Sequence, residues 1–339
     1  MLRCPKCGSE NVDHNYSTEE IEIWCKDCGE CDVYYLPTVW AAFPNWDDEK
    51  RGVTVDSIKM DGKALANDIL DRLKVKVDSL KNLDVNPCLA IIGSGGDASN
   101  VYVKQKIKAC ERLGIECIYH KIDELSGHTA FIDAVTKYNN DPNVHGIIVQ
   151  LPIRDYDDMS PYVRSILNHI SYEKDVDGLS SDNVADIWAD DISYYEPCTP
   201  KGIVRLLRHY LGDISGKHVV VLGRSTLVGK PLAGLLLRED CTVTVCHSKS
   251  EMLMRHISSA DILVTAMGNP NIIKDLPYGI EALVDVSINR DEYGRLIGDI
   301  PKTLYNRFKY YTPVPGGVGP MTVAMLMENV VDAAENTVL

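Results

Sequence analysis

From Val53 onward the apolar positions fall into two rhythms. Short, mostly apolar runs, in "NPCLAIIG", "ECIYHKI" and "VHGIIVQLP", read as strands. Between them, "ASNVYVKQKIKACERLG" and "HTAFIDAVTKYNN" carry apolar residues three and four apart, the spacing of an amphipathic helix. Strand and helix alternate, which predicts an α/β layer with a parallel sheet. After "EPCTPKG" a second series begins with the helix "IVRLLRHYL" and continues through the strands "HVVVLG", "TVTVC", "ADILVTAMG" and "ALVDVSI". The final stretch, "TVAMLMENVVDAAEN", is an amphipathic helix expected to dock back on the first unit. There is no tandem repeat and no low-complexity tract.

Composition narrows the class without changing that picture. The 339 residues, 45% of them hydrophobic, are enough for two packed cores and a small module. The apolar runs are far shorter than the ~20 residues of a membrane helix, and no signal-peptide core follows Met1, so a cytoplasmic protein is expected. A net charge of −14 and the lack of any Lys/Arg run argue against nucleic acid as the main partner. Of eleven cysteines only the first five cluster, while Cys88, Cys110, Cys117, Cys198, Cys241 and Cys246 stand singly, which fits a reducing compartment.

The clustered cysteines follow Cys4-x2-Cys7-x17-Cys25-x2-Cys28, with Gly8 and Gly29 after the second Cys of each pair. Two such knuckles brought face to face make a four-thiolate zinc site, closed to substrate and therefore structural. The alternating "EIEIW" before Cys25 reads as a ribbon strand, and Cys31 as a bystander. Residues 1–36 hold three basic and eight acidic side chains, so this zinc ribbon is a poor ligand for a polyanion; docking of a protein partner is the expectation kept open for it. "AAFPNWDDEKRG" reads as a linker.

A second constellation is "VVVLGRSTLVGKPLAGLLL", a buried strand, a turn with Gly223 and Gly229, and a helix opened by Pro231. That arrangement holds a dinucleotide pyrophosphate, although the two glycines are not spaced as in Gly-x-Gly-x-x-Gly. The next strand does not end in the Asp or Glu that would bind NAD ribose hydroxyls. It ends in Cys246, His247, Ser248, Lys249 and Ser250, and with Arg224 and Ser225 these suit the extra phosphate of NADP better than NAD.

A third constellation centres on one helix face. Val103, Ile107 and Cys110 form its core stripe, and Tyr102 and Lys106 stack one turn apart at its rim. "GIIVQLP" places Gln150 at the carboxyl edge of the same sheet, and "EKDVDGLS" supplies Asp175 and Asp177. A lysine held among such groups can work as an acid/base. "YTPVPGGVGPMT" is expected to be neither helix nor regular strand; with Pro313, Pro315, Gly316 and Gly317 it is a shaped loop suited to wall a planar ligand.

Taken in order, the Tyr-x-x-x-Lys helix, "VQLP", "KDVDG", "PCTPKG", "GRSTLVGKP", "CHSK", "AMGNPNII" and "TPVPGGVGPMT" resemble the bifunctional methylenetetrahydrofolate dehydrogenase/methenyltetrahydrofolate cyclohydrolase family, from about Ile58 to Val331. The resemblance implies Lys106 as catalytic lysine, Gln150 as the residue that tunes it, Asp177 as the carboxylate that anchors the pterin, and Tyr102 as the ring that stacks on the folate. It assigns Pro313, Pro315, Gly316 and Gly317 to the folate wall, and Gly223, Arg224, Ser225, Gly229, His247, Ser248 and Ile288 to the cofactor. It further implies a folate substrate, NADP and a homodimer. The chain departs from the family pattern at "GSGGDAS", which lacks the usual proline before Tyr102, at "DVSIN", which has Ser287 where the family typically has Gly, and in the ribbon itself.

The expected fold class is α/β: two α/β domains flanking a cleft, the second a Rossmann-like NADP domain, plus a small N-terminal zinc ribbon. Expected boundaries are 1–36 for the ribbon, 37–52 for the linker, 53–198 completed by 311–339 for the folate domain, and 199–310 for the cofactor domain. Two other readings stand beside it: a monofunctional dehydrogenase, and a zinc-ribbon regulatory or binding protein on an enzyme-like body.

Overall fold

The computed structural model describes residues 12–16, 20–25, 31–35, 56–94, 97–123, 127–153, 160–189, 195–270 and 272–338. Strands β1 (Val12–Tyr16), β2 (Glu20–Cys25) and β3 (Cys31–Tyr35) form an antiparallel meander, with Val12 opposite Cys25 and Trp24 opposite Cys31. Cys4, Cys7 and Cys28 lie outside the described residues.

The next elements are β4 (Ile58–Lys59), α1 (Gly62–Lys81), β5 (Cys88–Gly93), α2 (Asp97–Leu113), β6 (Glu116–Lys121), α3 (His128–Asn139) and β7 (Gly146–Val149). Helix α1 starts where the Asp61 carboxylate accepts the Ala64 N–H at 3.0 Å. Strands β6, β5 and β7 form a parallel sheet in that order. The period of two divides β5 between two cores: Leu89 and Ile91 pack on the side of α1 and α2, Ala90 and Ile92 on the side of α3. That double burial is why the run shows no polar alternation.

Helices α4 (Pro161–Leu167), α5 (Ser181–Ala189) and α6 (Cys198–Leu211) lead to the second unit. There β8 (His218–Leu222), α7 (Gly229–Arg238), β9 (Thr242–Cys246), α8 (Leu253–Ser258), β10 (Ile262–Thr265) and β11 (Ala282–Asp285) follow, then the small hairpin β12 (Asn289–Arg290) and β13 (Leu296–Ile297), and β14 (Tyr310–Tyr311). The sheet order is β4-β14-β11-β10-β8-β9, and every pairing in it is parallel. β8 lies between β9 and β10, so the strand order reverses beside it, which is where a dinucleotide crosses such a sheet. Ile58 pairs with Tyr310, so the chain adds an edge strand to the second sheet before it builds the first.

The last helix, α9 (Val318–Glu335), shares one buried cluster with α1, α2, α6 and α7. Two helix starts differ from the sequence expectation. α6 begins at Cys198 and α9 at Val318, so "CTPKG" and "VGPMT" are first turns rather than loops. Pro200 and Pro320 stand where the missing N–H would have had no helical acceptor, so neither breaks its helix. The rest of the 311–322 segment stays irregular apart from Tyr311, the end of β14.

Candidate functional site

On α2, Val103 and Cys110 are buried and Ile107 is half-buried, while Lys106 stands at the rim and Tyr102 is 42% exposed. Gln150 continues β7 at its carboxyl edge, its backbone N–H donating to Ile92 O at 2.8 Å. Its amide nitrogen donates to Leu151 O at 2.6 Å, which turns Oε1 toward α2, and Lys106 Nζ donates to that oxygen at 3.0 Å. The amine is therefore held by a neutral acceptor that is itself held.

The two aspartates of "KDVDG" part company. Asp175 is 1% exposed and accepts from Ser180 N and Asn183 Nδ2, both at 2.8 Å, so it builds the turn instead of facing a ligand. Burial pushes its carboxyl above the usual carboxylate range despite those donors. Asp177 stays half-buried next to Cys198. Burial first, then the charge of Asp177, raises the Cys198 thiol well above its ordinary value, and the ammonium groups of Lys201 and Lys106 oppose them. One thiol thus senses Asp177 and Lys106 together.

Two contributors were not singled out from the sequence. Asn329 of α9 is 1% exposed; its Nδ2 donates to Val176 O at 2.8 Å and to Glu196 O at 3.3 Å, and its Oδ1 accepts from Lys201 Nζ at 2.7 Å. The last helix therefore grips the backbone beside Asp177. A polar residue four places from Met325 and Ala333, both on the buried stripe, was the signal. The second is Tyr119 on β6: its hydroxyl and that of Ser94 are buried without a hydrogen-bond partner among the described residues. Tyr119 Oη lies 3.5 Å from the point where a side chain on Gly93 would begin, and Gln150 Cβ is equally close to it. Buried hydroxyls of this kind, that of Tyr119 near Gln150, call for polar atoms of a ligand or water.

On the second sheet, Gly223 has φ +132° and lies against Ala266, where a side chain would begin 2.4 Å from the Ala266 oxygen. Gly229 is pressed against the Gly223 carbonyl in the same way, at 2.1 Å. The six-residue spacing thus closes the β8–α7 turn backbone to backbone. Ser225 Oγ accepts from Val228 N at 3.1 Å and Gly229 N at 3.3 Å, which fixes the start of α7, and Arg224 is exposed without a partner among the described residues. Beyond β9, His247 Nδ1 accepts the Lys249 N–H at 3.1 Å, so its Nε2 carries any proton of the neutral ring and faces outward from that turn. Ser248 and Lys249 are exposed beside it.

The Pro/Gly loop docks on the start of α1: Lys63 N donates to Gly316 O at 3.0 Å, and the missing side chain of Gly62 makes room for Gly317 O. Gly317 N donates to Pro313 O at 2.8 Å, closing the loop, and Pro315 is exposed on it. From there α9 connects the two sides. Thr322 meets Thr199, the neighbour of Cys198, at 2.9 Å, and Gly319 faces Ile288, which is 42% exposed. Cys25 ends β2 and the other three proposed zinc ligands lie outside the described residues; among the described residues there is no cluster of metal-ligating side chains.

Comparison with known proteins decides the family. The catalytic-domain profile of tetrahydrofolate dehydrogenase/cyclohydrolase matches residues 60–177, and its NAD(P)-binding-domain profile matches residues 197–338. The chain belongs to the tetrahydrofolate dehydrogenase/cyclohydrolase family. The bifunctional protein FolD of Campylobacter hominis is 42% identical over 280 residues, 82% of this chain and 97% of that protein. The crystal structure of the bifunctional FolD enzyme from Campylobacter jejuni superposes with a TM-score of 0.79 at 40% identity, covering 83% of this chain and 99% of that one. The Trypanosoma brucei methylenetetrahydrofolate dehydrogenase-cyclohydrolase, solved with NADP and an inhibitor, gives 0.77 at 33% identity, with 83% and 98% covered. This family member is a methylenetetrahydrofolate dehydrogenase/cyclohydrolase built of two α/β domains, the second Rossmann-like. No helix of the described residues is long and apolar enough to cross a membrane.

Proposed function

We propose that the chain oxidises methylenetetrahydrofolate to methenyltetrahydrofolate with NADP and hydrolyses that product to formyltetrahydrofolate, with Lys106, Gln150 and Asp177 as the working set. The observation that carries this reading is the Lys106–Gln150 hydrogen bond at 3.0 Å, beside a thiol that feels both Lys106 and Asp177. In the hydrolysis, water adds to the methenyl carbon, Lys106 acting as the neutral amine takes the proton released as the C–O bond forms, and the ammonium so formed returns it to the ring nitrogen as its C–N bond breaks. A positioned group of this kind contributes about 10²–10⁴ in rate. Gln150 fixes where Nζ stands without adding charge, Asp177 accepts from the amino edge of the pterin, and the exposed ring of Tyr102 offers a stacking face one turn away.

NADP, when bound, accepts the hydride of the first reaction. What the chain supplies to that step is alignment, because hydride transfer needs approach geometry more than acid or base. Residues fitted to hold the cofactor are the closed Gly223–Gly229 turn and the exposed Arg224, with Ser225, His247 and Ser248 nearby. The lack of a carboxylate at the end of β9 and the unpaired Arg224 favour NADP over NAD. Steady-state assay of both reactions with both cofactors tests the reading. Reduced-cofactor formation from methylenetetrahydrofolate supports it; no turnover overturns it, and a lower KM for NAD than for NADP overturns the cofactor choice.

Zinc on Cys4, Cys7, Cys25 and Cys28 is a separate part of the proposal. Its support is topological: Val12 pairs with Cys25, so the strand that follows the Cys4–Cys7 knuckle starts beside the end of the strand that carries Cys25. One zinc per chain by metal analysis, lost in Cys25→Ser, is the expected result; metal-free protein overturns it.

A further inference from the structure

We infer that Ser287 is a positioning residue for hydride transfer: its hydroxyl fastens together the two loops that wall the nicotinamide end of the cofactor. This rests on the NADP reading above. The strand order places the cofactor crossing at β8, with β9 and its phosphate-suited edge on one side. The other half of a dinucleotide then lies over the carboxyl ends of β10 and β11, where loops 266–269 and 286–289 emerge.

Those loops have few bonds to each other through regular structure beyond Val286 N to Thr265 O at 2.9 Å. They are joined instead through Asp299, which is 0% exposed. Asp299 Oδ2 accepts from Met267 N at 2.7 Å and Oδ1 from Asn269 N at 2.9 Å, both on the first loop. From the second loop, Asn289 Nδ2 donates to Oδ1 at 3.0 Å and Ser287 Oγ donates to Oδ2 at 2.7 Å. The same Ser287 oxygen accepts the Gly268 N–H at 3.0 Å. Gly268, at φ +66°, cannot be held by regular pairing, and the hydroxyl is the group that secures its peptide.

Asp299 in turn is anchored from below: its own N–H and that of Ile300 donate to Asp285 at 2.9 and 3.0 Å, and Asp285 ends β11. The sheet therefore sets Asp299, Asp299 sets Ser287, and Ser287 sets Gly268. Ile288, the next residue, faces Gly319 at the start of α9, the helix that also reaches Thr199 beside Cys198. Movement of the 286–289 loop thus changes the approach of the cofactor ring to the folate side, and leaves the Lys106–Gln150 pair, which belongs to the other sheet, where it is.

The two reactions separate this role from a general loss of structure, because only the oxidation uses the nicotinamide. Ser287→Ala removes both hydrogen bonds while keeping the backbone's substituent. The expected result is a fall in dehydrogenase kcat of about tenfold, the scale of one hydrogen bond to a charged group, and a larger primary deuterium isotope effect with methylene-deuterated folate. Cyclohydrolase turnover stays within about twofold of the parent, and Ser287→Thr, which keeps the hydroxyl, recovers part of the dehydrogenase rate. An unchanged dehydrogenase in Ser287→Ala, or a parallel loss of both activities, overturns the inference. A parent enzyme that fails to oxidise methylenetetrahydrofolate with NADP overturns the reading beneath it instead, so the two failures are told apart.

Discussion

Replacing Asn329 with Leu keeps the side-chain volume and removes the amide that ties the last helix to the backbone beside Asp177. Val176 O, which accepts from Asn329 Nδ2 at 2.8 Å, is left with the weak Cys198 thiol donor at 3.4 Å, and Glu196 O loses a longer bond at 3.3 Å. Lys201 loses Oδ1 but keeps Glu328 Oε2 at 2.8 Å, so its charge remains paired. One buried carbonyl left with a poor donor, at about 1–3 kcal/mol, and one weaker loss of about 1 kcal/mol give a destabilisation on the order of 3 kcal/mol. At about 2.1 cal/mol/K of unfolding entropy per residue, a chain of 339 residues then loses roughly 4 °C in Tm. The freed loop also lets Asp177 drift, so KM for methenyltetrahydrofolate should rise about tenfold while the Lys106-dependent step keeps most of its kcat. Circular-dichroism melting and the hydrolysis assay together read both effects. A Tm within about 1 °C of the parent and an unchanged KM would refute the tethering role of α9.

Gly229→Ala places a methyl group 2.1 Å from the Gly223 carbonyl, a backbone atom that cannot swing aside; the β8–α7 turn must open, and the KM for NADP should rise at least tenfold with hydrolysis unaffected, as initial-rate kinetics will show. Asp285 gives a pH signature: burial raises its carboxyl from 3.8 to about 6, so the folded chain holds the proton more tightly than the unfolded one, and the contribution to stability is full below pH 4 and lost as pH climbs to about 6. Over that window the parent should lose roughly 3 kcal/mol relative to Asp285→Asn in urea unfolding, and parallel curves for the two proteins would contradict the assignment. Tyr119→Phe deletes a buried hydroxyl that has no partner among the described residues, so Tm should hold or rise while folate KM increases a few-fold; a marked fall in Tm would mean that the hydroxyl is already satisfied within the protein.

How far the sequence carries is clear from particular residues. Strands buried on both faces, such as "CLAIIG" and "HVVVL", announced themselves as unbroken apolar runs because nothing polar is tolerated on either side. β4 and β14, two residues each, have no period to detect and exist only because the sheet edge provides partners 252 positions apart in the chain, as Ile58 and Tyr310 show. The helix starts at Cys198 and Val318 were hidden by Pro200 and Pro320, since a proline reads as a breaker unless one knows it lies in a first turn.

The site divides in the same way. Lys106 and Gln150 were legible from a helix rim and a strand end, because the carboxyl edge of a parallel sheet collects both. Spacing alone left Asp175 beside Asp177, the family resemblance implied Asp177, and Ser180 and Asn183 claim Asp175 for the turn. Ser225 looked like a phosphate ligand, and the fold also uses its oxygen to hold two N–H groups of its own helix. Asn329 is marked in the sequence only as a polar residue on an apolar helical stripe and Ser287 by no local pattern, so what each of them holds follows from tertiary contact.

The central claim is that one lysine serves the hydrolysis while alignment serves the oxidation, and Lys106→Met tests it most directly. Nζ is removed, and with it the 3.0 Å bond to Gln150, while a side chain of similar length still fills the rim of α2. Hydrolysis of methenyltetrahydrofolate above its spontaneous rate should fall by about 10²–10⁴, while NADP-dependent oxidation measured on the same preparation keeps a substantial fraction of the parent rate. Undiminished hydrolysis in folded Lys106→Met protein would contradict the account.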